Sequence, residues 1–106
     1  MLHSPQWFKI SESFASIALG ENGIGTVEVN GKMICISKYR NEWFAFNHKC
    51  PHASGIMAEG FIDAIGNVVC PVHKFRFNLR NGRNSDGYFL KVYAVEERED
   101  GVYVRV

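Results

Sequence analysis

Two short segments of this chain combine residues that bind metals. Cys50-Pro51-His52 and Cys70-Pro71-Val72-His73 each offer one thiol and one imidazole, with a proline next to the cysteine. Together they make a four-ligand set of two cysteines and two histidines, which suits either a structural zinc ion or an iron–sulfur cluster. Proline fixes φ and removes a competing backbone donor, which stiffens each loop. The order is informative, because each segment supplies one anionic sulfur and one neutral nitrogen. Ordinary Cys₂His₂ zinc sites place both cysteines ahead of both histidines and carry the histidines on a helix. This chain has neither feature.

These loops need elements that bring them to one point. Gly55 and Gly60 loosen the first loop, and Phe61-Ile62-Asp63 with Asn67-Val68-Val69, turning at Ala64-Ile65-Gly66, read as a small hairpin that returns Cys70 towards Cys50. Upstream, Trp7–Ile10 reads as an opening strand and Ser11–Phe14 as a capped helical turn, the only helix expected. Asn30-Gly31 is the favoured two-residue type I′ turn and joins Thr26–Val29 to Lys32–Ile36. That register pairs Val29 with Lys32 and Val27 with Ile34. It sets Val27, Val29, Ile34 and Ile36 on one face, and Glu28, Met33 and Cys35 on the other. A turn at Tyr39–Glu42 leads into the strand Trp43–Phe46, which delivers the first loop. Asn81-Gly82 and Asp86-Gly87 mark further turns, and Leu90–Val95 and Val102–Val106 read as a closing hairpin through Asp100-Gly101. Seven to nine short strands indicate an all-β sandwich or small barrel.

At 106 residues the chain is expected to form one domain, with hydrophobic residues at 46% and charged residues at 22%. A net charge of +1 argues against bulk binding to nucleic acid. The charge is uneven: residues 38–83 hold seven Lys/Arg against three Asp/Glu, and the rest of the chain is net acidic. Three cysteines, an odd number, do not suggest a disulfide framework. The first residues, Met1–Trp7, show neither a basic nor an apolar signal region, and no apolar run approaches the roughly 18 residues of a membrane span. A cytoplasmic location without membrane contact is therefore expected.

The pattern Cys-x-His, seventeen residues, Cys-x-x-His, with Asn47 before it and Phe75-Arg76-Phe77 after it, resembles the Rieske-type [2Fe-2S] proteins, and in particular their soluble ferredoxins. The resemblance extends over effectively the whole chain. It implies a β-sandwich base with an inserted two-loop cluster-binding subdomain at about 47–83. It also implies one [2Fe-2S] cluster, with Cys50 and Cys70 on one iron and His52 and His73 on the other. Two thiolates bring an oxidised cluster to roughly zero charge where four would leave about −2, so the potential should lie within roughly −150 to +300 mV, above all-cysteine ferredoxins. High-potential members of the family carry an extra cysteine in each loop, forming a disulfide, and Ser and Tyr hydroxyls that donate to the cluster. At the matching positions this chain has Gly55, Val72, Phe75 and Phe77, which implies the low end of the range.

The family usually has glycine immediately after the second histidine, where this chain has Lys74. Its ammonium is expected at the rim of the cluster tip, where Lys49, Lys74, Arg76, Arg80 and Arg83, joined by His48, would form a basic collar for docking, or else a solvated face without a partner. Cys35 reads as a half-buried free thiol away from both loops, His48 as a non-ligand, and His3 receives no role. The aromatic residues around the loops read as packing, and the Glu96–Asp100 run as a solvated acidic turn. No nucleophile or paired-carboxylate arrangement is apparent, so the chain is read as an electron carrier and not an enzyme. It would pass single electrons from a flavoprotein reductase to a terminal oxygenase. The alternatives are the small subunit of a reductase, such as assimilatory nitrite reductase, and a zinc-stabilised interaction module.

Overall fold

The computed structural model describes residues 4–52 and 54–106, so His3 lies outside the described residues. Among the described residues ten strands follow in order: β1 Trp7–Ser11, β2 Ile24–Val29, β3 Lys32–Tyr39, β4 Glu42–Asn47, β5 Phe61–Ile62, β6 Asn67–Val69, β7 Arg76–Asn78, β8 Val92–Tyr93, β9 Val95–Arg98 and β10 Gly101–Arg105. They form three antiparallel sheets of order β1-β10-β9, β2-β3-β4-β8 and β5-β6-β7. The all-β class and the two-part architecture expected from the sequence are both present.

The four-stranded sheet is the middle layer. Its hairpin turns at Asn30-Gly31, both with positive φ, in the expected register of Val29 with Lys32 and Val27 with Ile34. A second tight turn uses Arg40 and Asn41, again at positive φ. One face carries Val29, Ile34, Ala45 and Tyr93, which pack with Val104 of the β1-β10-β9 sheet. The other face carries Ile24, Cys35 and Phe46, which pack with Val68, Phe77, Cys50 and Cys70 from the loop-bearing part. Period-two alternation therefore places apolar side chains on both faces of β3, and Ile34, Cys35, Ile36 and Ser37 are all buried.

Several sequence expectations need correction. Cys35 is fully buried, not half-buried, and shares a core with Cys50 and Cys70, because the loop-bearing sheet covers the face it occupies. The run Leu90–Val95 is not one strand: Val92 and Tyr93 pair with β4, the chain changes sheets at Ala94, and only Val95–Arg98 pairs with β10. Alternation cannot reveal this switch, since both halves keep the same periodicity. Glu96 and Glu97 consequently sit within β9, and the turn is confined to Glu99–Asp100. The expected helical turn lies slightly later, as the 3₁₀ turn Phe14–Ser16, with no side-chain cap from Ser13. A second 3₁₀ turn, Met57–Glu59, was not legible. No helix among the described residues is long and apolar enough to cross a membrane.

Candidate metal centre

The two loops are built alike. Cys50 N–H donates to Gly55 O at 2.9 Å and Cys70 N–H donates to Phe75 O at 2.8 Å, so each cysteine opens a reversal closed five residues later. The stems match as well, with Lys49 bridged to Ile56 and Val69 paired with Arg76. The β5–β6 hairpin between them brings the second loop back onto the first, as its turn residues suggested. The contact is close: a Cβ on Gly55 would stand 2.8 Å from Cys70 Sγ and 2.9 Å from Val72 Cγ2.

The four candidate ligands arrive as two pairs. Cys50 and Cys70 are buried, 5% and 0% exposed, and share one core cluster. Burial pushes the Cys70 thiol up, Cys50 pushes the same way, and a backbone N–H from Val72 works against both. A thiol buried like that of Cys70 holds its proton unless a cation lies beside it, and a coordinating metal deprotonates it outright. The imidazoles of His52 and His73 meet edge to face with ring centroids 5.5 Å apart. Among the described residues no three His, Cys, Asp or Glu side chains converge on a single metal-ion position.

His52 provides the test of fit. Its Nδ1 is buried and has no hydrogen-bond partner among the described residues. An orphaned buried nitrogen is costly, roughly 1–3 kcal/mol, unless something else occupies its lone pair. The ring is clamped, with Phe75 stacked on its face at 3.7 Å and Tyr88 against it at 4.9 Å. An imidazole locked by aromatic packing with an unpartnered inward nitrogen, near two buried thiols, fits a metal-ligand set. His73 is held differently: it and Lys74 both lie at positive φ, +61° and +57°. Left-handed backbone costs a non-glycine residue about 1–2 kcal/mol, which accounts for glycine being usual at the Lys74 position.

Other residues are sorted by their contacts. His48 Nδ1 lies 3.8 Å from Cys35 Sγ, directed to the buried thiol of β3. The basic collar is partly committed. Arg76 pairs with Asp63 at 2.8 Å, and Arg80 grips Glu42 through two bonds of 2.8 and 2.6 Å. Burial raises the Asp63 carboxyl, but hydrogen bonds from Asn67, Ile65 and Arg76 outweigh it and leave the group below its ordinary value. Lys74 reaches the Phe61 ring at 5.8 Å. Lys49, Lys74 and Arg83 are exposed and form no ion pair among the described residues. The sequence reading missed Tyr88, whose only signal was an aromatic residue directly after the Asp86-Gly87 turn.

A β-sandwich carrying two matched loops, with buried thiols beneath paired imidazoles, defines a class of metal-binding electron-transfer domain. The chain belongs to the Rieske [2Fe-2S] domain family, whose pattern it matches over residues 6–92. It is 31% identical over 78 residues, 69% of this chain and 72% of the relative, to the 3-phenylpropionate/cinnamic acid dioxygenase ferredoxin subunit of Photorhabdus laumondii. Among solved structures it resembles the ferredoxin of carbazole 1,9a-dioxygenase from Nocardioides aromaticivorans, with a TM-score of 0.77, 18% identity, and 96% and 97% of the two chains covered. It also resembles a nitrite reductase small subunit from Mycobacterium tuberculosis, with a TM-score of 0.79, 18% identity, and 98% and 97% covered. The cofactor of the family is a [2Fe-2S] cluster.

Proposed function

We propose that this chain is a low-potential Rieske-type ferredoxin, passing single electrons from a flavoprotein reductase to a terminal oxygenase. The observation that carries the reading is the clamped His52 ring, with its unpartnered Nδ1, beside His73 and near the Cys50–Cys70 pair. In this proposal Cys50 and Cys70 hold one iron and His52 and His73 the other, within the unit formed by residues 47–83 of a single domain. The cluster, when bound, supplies a one-electron couple. The chain's own residues exclude water from the thiol pair, fix the imidazoles, and leave the His73 edge exposed to a partner. Rings of Phe75 and Phe77 and the side chain of Val72 stand where donors or cross-links would raise the potential. Phe75 stacks on His52 and Phe77 is fully buried, and neither phenyl ring carries a hydrogen-bond donor. Cys35, the cysteine outside the proposed ligand set, forms no disulfide among the described residues, in keeping with a cytoplasmic location.

The 31% identity to a dioxygenase ferredoxin subunit favours an oxygenase as the acceptor. The fold shared with a nitrite reductase small subunit supports the second reading, a tightly held subunit of a reductase. The purified protein is expected to show an iron–sulfur optical spectrum, an EPR signal on reduction, and equal iron and sulfide. A colourless protein with one zinc would refute the central assignment, and a midpoint well above zero would refute the low-potential part. Copurification with a large reductase would decide for the second reading.

A further inference from the structure

Beside the second loop, β7 and the segment that follows it enclose an open groove of about 400 Å³ lined by four asparagines, two arginines and a serine. No carboxylate lines it. Three of its asparagines, Asn78, Asn81 and Asn84, are oriented by the backbone, and Asn67 by the Asp63 carboxylate. Asn78 Oδ1 accepts from the N–H groups of Arg80 and Asn81 at 2.8 and 3.3 Å, and Asn81 Oδ1 accepts from Arg83 N–H at 2.9 Å. With their oxygens turned into the loop, each of these amides presents its NH₂ end, and neither Nδ2 has a partner among the described residues. Asn84 is spent differently, since its Oδ1 accepts from Asp86 N–H and its Nδ2 donates to Arg76 O. Arg76 commits one nitrogen to Asp63, while Arg83 is exposed and forms no ion pair among the described residues. The groove thus offers mainly donors and positive charge, with Asn67, whose Nδ2 donates to Asp63 Oδ2, and the Ser85 hydroxyl supplying its free acceptors.

A surface dominated by donors and positive charge suits a ligand rich in acceptors, and the planar guanidinium and amide groups suit carboxylates. The groove also adjoins the candidate metal centre: Arg76 follows Phe75, which stacks on His52. We propose that this groove is a docking site for a carboxylate-bearing loop of a redox protein partner. The proposal rests on the electron-carrier reading for the nature of the partner, and the groove's chemistry supplies the recognition. Arg83 provides charge, and Asn78 and Asn81 provide directional donors that fix the partner's position relative to the imidazole tip.

The test is a titration of ¹⁵N-labelled holoprotein with a hexaglutamate peptide. At about 20 mM salt, saturable shifts are expected at the side-chain NH₂ groups of Asn78 and Asn81 and at Arg83 Nε–H, and they should weaken strongly by about 300 mM. Arg83→Gln should weaken binding about fivefold. Asn81→Asp keeps the oxygen that accepts from Arg83 N–H, exchanges the outward donor for an acceptor and adds a negative charge, so it should weaken binding about tenfold without unfolding the loop. Arg98→Gln, on β9, should change nothing. Equal binding by wild type and both groove variants, or shifts spread evenly over surface lysines, would overturn the proposal. So would displacement of the peptide by inorganic phosphate at equal anion concentration, which would indicate a small-anion site. The optical spectrum of the same samples separates the two claims: an intact cluster without peptide binding refutes the groove alone, and peptide binding without a cluster refutes the carrier reading alone.

Discussion

Gly55→Ala is the smallest change that reaches the candidate metal centre. The new Cβ would stand 2.8 Å from Cys70 Sγ, 2.9 Å from Val72 Cγ2 and 3.4 Å from Val72 Cβ. The two shortest contacts are about 0.6–1.2 Å inside the optimal separation of about 3.5–4.0 Å. Neither neighbour yields easily. Cys70 is fully buried, with its N–H bonded to Phe75 O, and Val72 is held in the same loop. Overpacking of this kind costs about 1–3 kcal/mol. Losing the flexibility of glycine in the unfolded chain returns about 0.4–1 kcal/mol. The net loss is about 0.5–2 kcal/mol, which in a domain of this size is a fall in Tm of roughly 5–10 °C at the upper part of that range. Because one clashing atom is a candidate ligand sulfur, iron and sulfide per chain should fall together with Tm. Adding Val72→Ala removes the Val72 Cγ2 contact but not the one to Cys70, so it should restore part of the Tm and little of the iron. The measurements are thermal unfolding at a fixed scan rate and metal analysis of the purified variants. A Gly55→Ala protein with wild-type Tm and full iron would refute the close approach of the two loops.

Burial pushes the Cys35 thiol up to about 12, so the folded protein keeps a proton that the unfolded chain releases near its ordinary value of 9.0. Stability from this group is complete below about pH 9 and is lost between about 9 and 12. Wild type should therefore lose about 1 kcal/mol more than Cys35→Ala between pH 8 and pH 10, measured by denaturant unfolding at each pH, and equal losses would contradict the assignment. The same Cys35→Ala variant should keep its full iron content, since Cys35 is not among the four proposed ligands. Ser37 Oγ is buried without a hydrogen-bond partner among the described residues, so Ser37→Ala should raise stability by about 1 kcal/mol in urea titrations. Lys74 occupies left-handed backbone at φ +57°, and Lys74→Gly should gain about 0.5–1 kcal/mol with an unchanged optical spectrum. A loss of stability there would show that the contact of Lys74 with Phe61 outweighs the strain.

Local rules made much of this protein legible. Asn30-Gly31 set the first hairpin and its register, because only a few residues tolerate the two positive φ values of that turn. The Cys-Pro and His content of the two loops, with a turn-rich hairpin between them, marked the candidate centre, since a metal fixes both the kind and the number of its ligands. What remained hidden depended on which layer covers which. Cys35 alternates correctly with Ile34, yet its burial follows from the loop-bearing sheet lying over that face of β3. Ala94 carries no local mark of the change of sheets between β8 and β9, because the alternating pattern is the same on both sides of it. Arg76 and Arg80 looked equivalent to Arg83 until the fold brought Asp63 and Glu42 to the first two and left the third exposed. Sequence by itself determined the ligand types, the turns and the strand periodicity, which depend on single residues and their neighbours. Only the tertiary structure decided the pairing of imidazole with imidazole, the clamp of Phe75 and Tyr88 on His52, and which charges stay unpaired, because these depend on contacts between segments distant in the chain.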